Sequence, residues 1–184
     1  MLKIISTTSD LKIKFLITVI AAILFLPFLG DVHLFDWDEI NFAEASREMI
    51  ETGDYLRVHI DYEPFYEKPP LFFWFQVLSM KIFGVNEFAA RFPNAIFGIV
   101  ALLILYAFGR KLFDKSFGLL WVMAYAGSIL PYFYFRSGIL DPLFNLFMFI
   151  SVWYIYRSFE VSDKTNYFFI HAGVFAGLAI LVKG

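Results

Sequence analysis

Three short polar clusters hold the residues of this sequence best suited to chemistry. The first is Asp36-Trp37-Asp38-Glu39. Carboxylates at a helix start feel the positive end of the helix dipole, which favours their ionised form. An ionised carboxylate accepts the proton of an attacking hydroxyl or amine. Asp36 or Asp38 could simply cap a helix, but several acids in a row leave one or two for other work, so Asp38 and Glu39 are candidate catalytic groups. The second cluster is Tyr66-Glu67-Lys68-Pro69-Pro70. The diproline imposes an extended chain, holding Glu67 and Lys68 just ahead of an apolar run. A lysine there suits a lipid phosphate as a point charge, and the glutamate suits a divalent cation or the orientation of that lysine. A snorkelling lysine beside a surface acid fits the same residues. The third is Arg136-Ser137-Gly138-Ile139-Leu140-Asp141-Pro142, where Asp141 reads as a helix cap with proline at the first helical position. Asp141 is also a candidate catalytic residue, and Arg136 a candidate phosphate contact. Lys183, at the end of the last apolar run, is either an interfacial anchor or a further phosphate contact.

The elements that must position these groups are set by an apolar composition. Of 184 residues, 60% are hydrophobic, 21% are aromatic and 25 are phenylalanine, with mean hydropathy +0.67. One soluble core does not hide that much apolar surface, so lipid is the expected solvent. The sequence contains no cysteine, which removes thiolate chemistry. The net charge of −2 gives no basis for a nucleic-acid partner. Charge is concentrated instead: 11 of the 17 acidic residues lie between Asp31 and Glu67, opposed locally by Arg47, Arg57 and Lys68.

Apolar runs predict an all-α, polytopic membrane bundle of about five transmembrane helices: Phe15–Gly30, Phe92–Phe108, Phe117–Phe135, Pro142–Tyr156 and Tyr167–Val182. Lys3, Lys12 and Lys14 precede the first run, which lacks a small-x-small cleavage site and reads as an uncleaved helix with a cytoplasmic amino end. Arg110, Lys111 and Lys115 then fall in one cytoplasmic connection, and Arg157 and Lys164 in another. The acidic loop (31–70), the 136–141 connection and Lys183 share the outer face. Within the loop a helix runs to about Thr52, ended by Gly53. Phe42, Ala45, Ser46 and Met49 share one face, and Glu44, Glu48 and Glu51 lie towards its other side, the pattern of a helix lying at the membrane interface or of an amphipathic helix capping the bundle. Leu71–Phe83 is too short to span and reads as interfacial. His33 and His59 are a weak metal signal, and His171 an interhelical hydrogen-bonding residue. The whole chain reads as one membrane domain. Its stop at Lys183-Gly184, directly after an apolar run, reads as a truncation, and these residues alone are expected not to catalyse transfer.

Several stretches in order resemble the GT-C glycosyltransferases, above all the lipid A aminoarabinose transferases and bacterial relatives of the protein O-mannosyltransferases. They are Asp38-Glu39, Phe42 to Met49, Gly53-Asp54, Tyr66 to Leu71, Asn86 to Pro93, Leu140-Asp141-Pro142, and Gly177-Leu178-Ala179 with Lys183-Gly184. The resemblance implies transfer of a sugar, with inversion, from a polyprenyl-phosphate donor to a lipid, glycan or protein acceptor on the outer face of a bacterial plasma membrane. It places Asp38 at the family's acting loop aspartate and Asp141 at a second important aspartate. Glu67 matches a metal-binding glutamate, which makes a divalent cation a candidate cofactor, and Lys68 and Lys183 match lysines associated with the donor phosphate. The aminoarabinose transferases have an Arg-Tyr pair where this chain has Asn41-Phe42, so the sugar stays open. A fragment of a lipid-linked-sugar transporter or flippase, and an inactive truncated membrane subunit, are the competing expectations.

Overall fold

The computed structural model describes residues 2–161 and 165–184. Lys164 and the side chains of Lys3 and Asp36 lie outside the described part. The chain forms eight helices and one two-stranded hairpin among these residues: α1 (Leu2–Phe25), α2 (Asp36–Thr52), β1 (His59–Ile60), β2 (Glu63–Pro64), α3 (Leu71–Phe83), α4 (Glu87–Leu112), α5 (Lys115–Ala126), α6 (Ile129–Tyr134), α7 (Asp141–Glu160) and α8 (Thr165–Val182). The all-α expectation therefore holds apart from the small hairpin. Among the described residues, α4 is the one helix both long and apolar enough to cross a bilayer. Leu71–Phe83 and Asn166–Val182 are shorter apolar helices.

Local signals set several boundaries. Gly53 adopts φ +73°, and its N–H bonds the Met49 carbonyl, ending α2 in the left-handed turn that glycine favours. The Asn86 side chain accepts from Ala89 N–H at 2.8 Å and caps α4. α3 occupies the predicted run, and its 13 residues rise only about 20 Å against the roughly 30 Å of a hydrocarbon core.

Three local expectations are corrected. Phe35, not an aspartate, holds the N-cap position of α2 and makes no side-chain cap bond; its own N–H goes to Glu39 Oε2 at 2.6 Å. Leu140 caps α7, so Asp141 sits inside the first turn beside Pro142, and its side chain is not spent on the helix. The predicted Phe117–Phe135 span is two helices, broken at Gly127-Ser128. Proline at 131 has no N–H to donate to residue 127, so the helix restarts with that proline in its first turn.

Two main cores build the bundle. One joins α1, α4, α5 and α7 through Ala21, Phe25, Leu102, Tyr106 and Ile150. The other joins α2, α3, α7 and α8 through Phe42, Met49, Phe72, Phe73, Leu143 and Val182. Helices α4 and α5 touch almost backbone to backbone. A Cβ added to Gly118 would lie 2.8 Å from the Tyr106 carbonyl oxygen and 3.0 Å from Arg110 N. Small residues at a crossing allow such approach. Gly118→Val is expected to lower stability by about 1–3 kcal/mol through overpacking, read as a lower thermal midpoint in detergent micelles.

Candidate active site

The polar end of the bundle is organised by one buried ion pair. Glu39 on α2 and Arg91 on α4 are 2% and 3% exposed. Arg91 Nε donates to Glu39 Oε1 at 2.8 Å, and Arg91 Nη2 to Glu39 Oε2 at 2.9 Å. The other N–H groups of Arg91 go to the carbonyls of Leu29, Val32 and His33, at 2.9, 2.7 and 2.9 Å. All five guanidinium donors are thereby used. Glu39 also accepts from Phe35 N–H and, at 2.5 Å, from Gly138 N–H. Its four lone-pair sites are filled, so no lone pair is left to take a proton from an acceptor. The carboxylate instead ties the loop after α1, the start of α2, α4 and the α6–α7 connection to one point.

Neighbouring amides extend this junction. Asn94 Nδ2 donates to the carbonyls of Ser137 and Ile139 at 2.6 and 2.7 Å. Gln76 accepts from Ser46 Oγ and donates to the Ala90 carbonyl, at 2.8 and 2.9 Å. The 136–141 connection is thus held by side chains from α2 and α4, and Gln76 of α3 packs beside Gly138.

The candidate reacting groups stand around this scaffold. Asp38, next to Glu39, is exposed and has no hydrogen-bond or ion-pair partner among the described residues. Asp141 and Lys183 form an ion pair at 2.7 Å and are 34% and 41% exposed. Gly184 packs on Pro69: a Cβ there would be 3.1 Å from the proline Cγ. That contact brings the segment carrying Lys68 against the segment carrying Lys183. Lys68 is half-buried, and Glu67 is exposed; neither has a partner among the described residues. Arg136 stands differently. Its Nη1 and Nη2 donate to the carbonyls of Leu24, Phe25 and Pro27, at 3.1, 3.4 and 2.8 Å, and its guanidinium lies over the Tyr132 ring. The residue caps the open end of α1, a use of arginine suited to helix C-termini.

The acidic face of α2 is less uniform than helix periodicity predicts. Glu48 is fully buried, not on the solvated side, because the hairpin folds over it and Tyr62 N–H donates to Glu48 Oε2 at 3.0 Å. Tyr62 and Asp61 both have positive φ, a tight-turn geometry. Arg47 bridges Glu44 and Glu51. The Arg47 hydrogen bond holds Glu44 below the ordinary carboxylate range. The Tyr62 hydroxyl, then Arg47, do the same for Glu51. His171 is also corrected: its Nδ1 lies 2.7 Å from the Tyr167 carbonyl of its own helix, and only its ring meets α7, at Tyr154.

A divalent cation is not supported by these side chains. Among the described residues no three His, Asp or Glu groups converge as metal ligands, and Glu67 stands alone at the surface.

A family model for dolichyl-phosphate-mannose-protein mannosyltransferase matches residues 67–184. The chain belongs to this family. The mannosyltransferase-family match covers Glu67, Lys68, Arg91, Asp141 and Lys183, whereas Asp38 and Glu39 precede it. Over 179 residues the chain is 30% identical to an undecaprenyl phosphate-alpha-4-amino-4-deoxy-L-arabinose arabinosyl transferase of Wigglesworthia glossinidia brevipalpis, covering 94% of this chain and 32% of that protein. A protein of the same name from Yersinia enterocolitica is 26% identical over 92% of this chain and 31% of its own length. Among solved structures, the fold is similar to ArnT from Cupriavidus metallidurans bound to undecaprenyl phosphate, with TM-score 0.84 and 23% identity, over 92% of this chain and 32% of that one. The chain spans about a third of the length of these relatives.

Arg91, Asn94, Gln76 and Gly138 escaped sequence reasoning as functional positions. Arg91 alone left a trace: an arginine between Ala89-Ala90 and Phe92-Pro93, where an apolar run begins, must either reach the interface or find partners for its guanidinium.

Proposed function

We propose that this protein is an inverting glycosyltransferase of the plasma membrane that takes its sugar from a polyprenyl phosphate on the extracytoplasmic face. The observation that carries this is the Glu39 junction, which links the helix bearing the unpartnered Asp38 to the segment bearing the Asp141–Lys183 pair, with Lys68 one residue from the Pro69 that Gly184 packs on. The five predicted spans, with α1 entering from the cytoplasm and α3 lying in the interface, put that end outside. Residues 1–184 then act as one membrane domain, with 31–70 as its outer loop.

In the proposed reaction the acceptor hydroxyl or amine attacks the anomeric carbon from the face opposite the phosphate. The new bond forms as the carbon–oxygen bond to phosphate breaks, and the acceptor's proton passes to the Asp38 carboxylate. The departing phosphate gains negative charge, which Lys68 and Lys183 oppose. Phosphate leaves without a proton donor, so a second free acid is not needed. Asp141 holds Lys183 in place, Glu39 is a positioning group, and Arg136 secures the end of α1. An apolar cavity of about 240 Å³ beneath Pro142, lined by Trp121, Tyr125, Phe135 and Phe149, suits a hydrocarbon tail.

The named relatives make 4-amino-4-deoxy-L-arabinose the first donor sugar to test, and the resemblance to the lipid A aminoarabinose transferases makes a lipid the first acceptor class. Phe42, one of two departures from the aminoarabinose pattern, is buried edge-on against Phe73, with ring centroids 5.7 Å apart. That position serves packing, whereas Asn41 is only half-buried.

The test is transfer of labelled sugar from its undecaprenyl-phosphate carrier by membranes containing the protein. Lys68→Ala is expected to raise the donor KM about 10–100-fold, the loss of a charged hydrogen bond to phosphate. No transfer by the unaltered full-length protein with any polyprenyl-phosphate sugar would refute the reading. An unchanged donor KM in the variant would remove Lys68 from the phosphate site.

A further inference from the structure

The Glu39 carboxylate joins two segments that carry reacting groups, and the joint is unusually intolerant of geometry. On one side is α2, where Asp38 is the adjacent residue. On the other is Gly138, three residues before Asp141, which pairs with Lys183. Gly138 has no room for a side chain. A Cβ there would lie 3.1 Å from the Ala90 carbonyl oxygen, 3.1 Å from Gln76 Nε2 and 3.4 Å from Glu39 Cγ. Each neighbour is itself fixed: Gln76 is fully buried and bonded at both ends, and Glu39 is locked by Arg91.

We infer that Gly138 and Arg91 are positioning residues for transfer: they act through Glu39 to set the separation between Asp38 and the Asp141–Lys183 pair. The inference rests on the glycosyltransferase reading for its kinetic consequence but not for its geometry. Arg91 contributes an amount no lysine matches, since five donors in a planar fork reach three carbonyls and both carboxylate oxygens. Gly138 contributes its N–H and the absence of a Cβ. A displacement of a few tenths of an ångström at Gly138 moves Asp141 relative to Asp38 without removing any reacting group. Reacting groups misplaced by about 1 Å cost on the order of 100-fold in rate.

The experiment uses Gly138→Ala and Arg91→Lys, each in membranes containing the protein, beside Asp38→Asn. Both positioning variants are expected to lower kcat per folded molecule about 10–100-fold while the donor KM stays within about twofold, the signature of geometry lost in the transition state alone. Gly138→Ala keeps every hydrogen-bonding group, so a merely structural ion pair would leave its kcat unchanged. A second measurement is independent of activity. This sequence has no cysteine, so nitroxide labels at Ile40→Cys on α2 and Leu130→Cys on α6, both exposed, report the separation across the joint. One narrow distance is expected in the parent, and a shifted or broadened one in each variant. Unchanged distances in both variants would overturn the inference, as would wild-type kcat per folded molecule in both beside an inactive Asp38→Asn. If Asp38→Asn transfers normally while the distances shift, the joint stands and the assignment of Asp38 falls.

Discussion

Asp38→Asn is expected to lower kcat for sugar transfer about 10²–10⁴-fold, the range general-base catalysis contributes, with little change in donor KM. Two observations single this residue out from the other described acids of α2. Glu39, its neighbour, has every lone pair occupied. Glu44 and Glu51 are committed to Arg47 and Tyr62, while Asp38 is exposed without a partner among the described residues. Asparagine preserves size and removes the proton acceptor, so folding should be unaffected. The check is the pre-steady-state rate of transfer together with the thermal midpoint. Near-normal transfer at an unchanged midpoint would assign the proton to another group.

The largest expected effect on stability is at Glu39. Glu39→Ala leaves the Arg91 guanidinium buried without its counter-charge and strands the N–H groups of Phe35 and Gly138. Removing one partner of a buried ion pair typically costs about 3–5 kcal/mol. The variant should therefore unfold at a markedly lower denaturant concentration, or fail to accumulate. Glu51→Ala, on the exposed face of the same helix, should leave the unfolding midpoint almost unchanged. Comparable midpoints for the two variants would contradict the role of Glu39 as the central tie.

These contrasts also show which features the sequence could reveal. Signals that act within a few residues were readable. Gly53 ends α2, and the diproline before Leu71 fixes the start of α3. Each depends only on backbone preferences nearby. The apolar runs foretold the helices, although the proline at 131 divided one of them. Partners distant in sequence were not readable. Nothing near Glu39 says that it, and not Asp38, meets Arg91 52 residues later. Helix periodicity put Glu48 on the solvated side because it takes no account of a hairpin folding over that face. Arg136 had the charge for a phosphate, but the carbonyls it serves lie more than a hundred residues earlier. Lys68 keeps its place just ahead of α3, although Pro70 turns into the helix at φ −83° and ψ −8° where the diproline predicts an extended chain.

The reach of the Glu39 contacts has a consequence for biosynthesis. Gly138 follows Glu39 by 99 residues. At about 5–20 residues per second, a ribosome needs roughly 5–20 seconds to deliver the second segment after the first. During that interval the carboxylate waits without its full set of donors, and α2 has no fixed place against the 136–141 connection. The segment between α1 and α3 is thus translated early and finished late. A nascent chain halted between Arg91 and Gly138 should carry a half-formed junction open to proteolysis, whereas one extended past Lys183 should be protected.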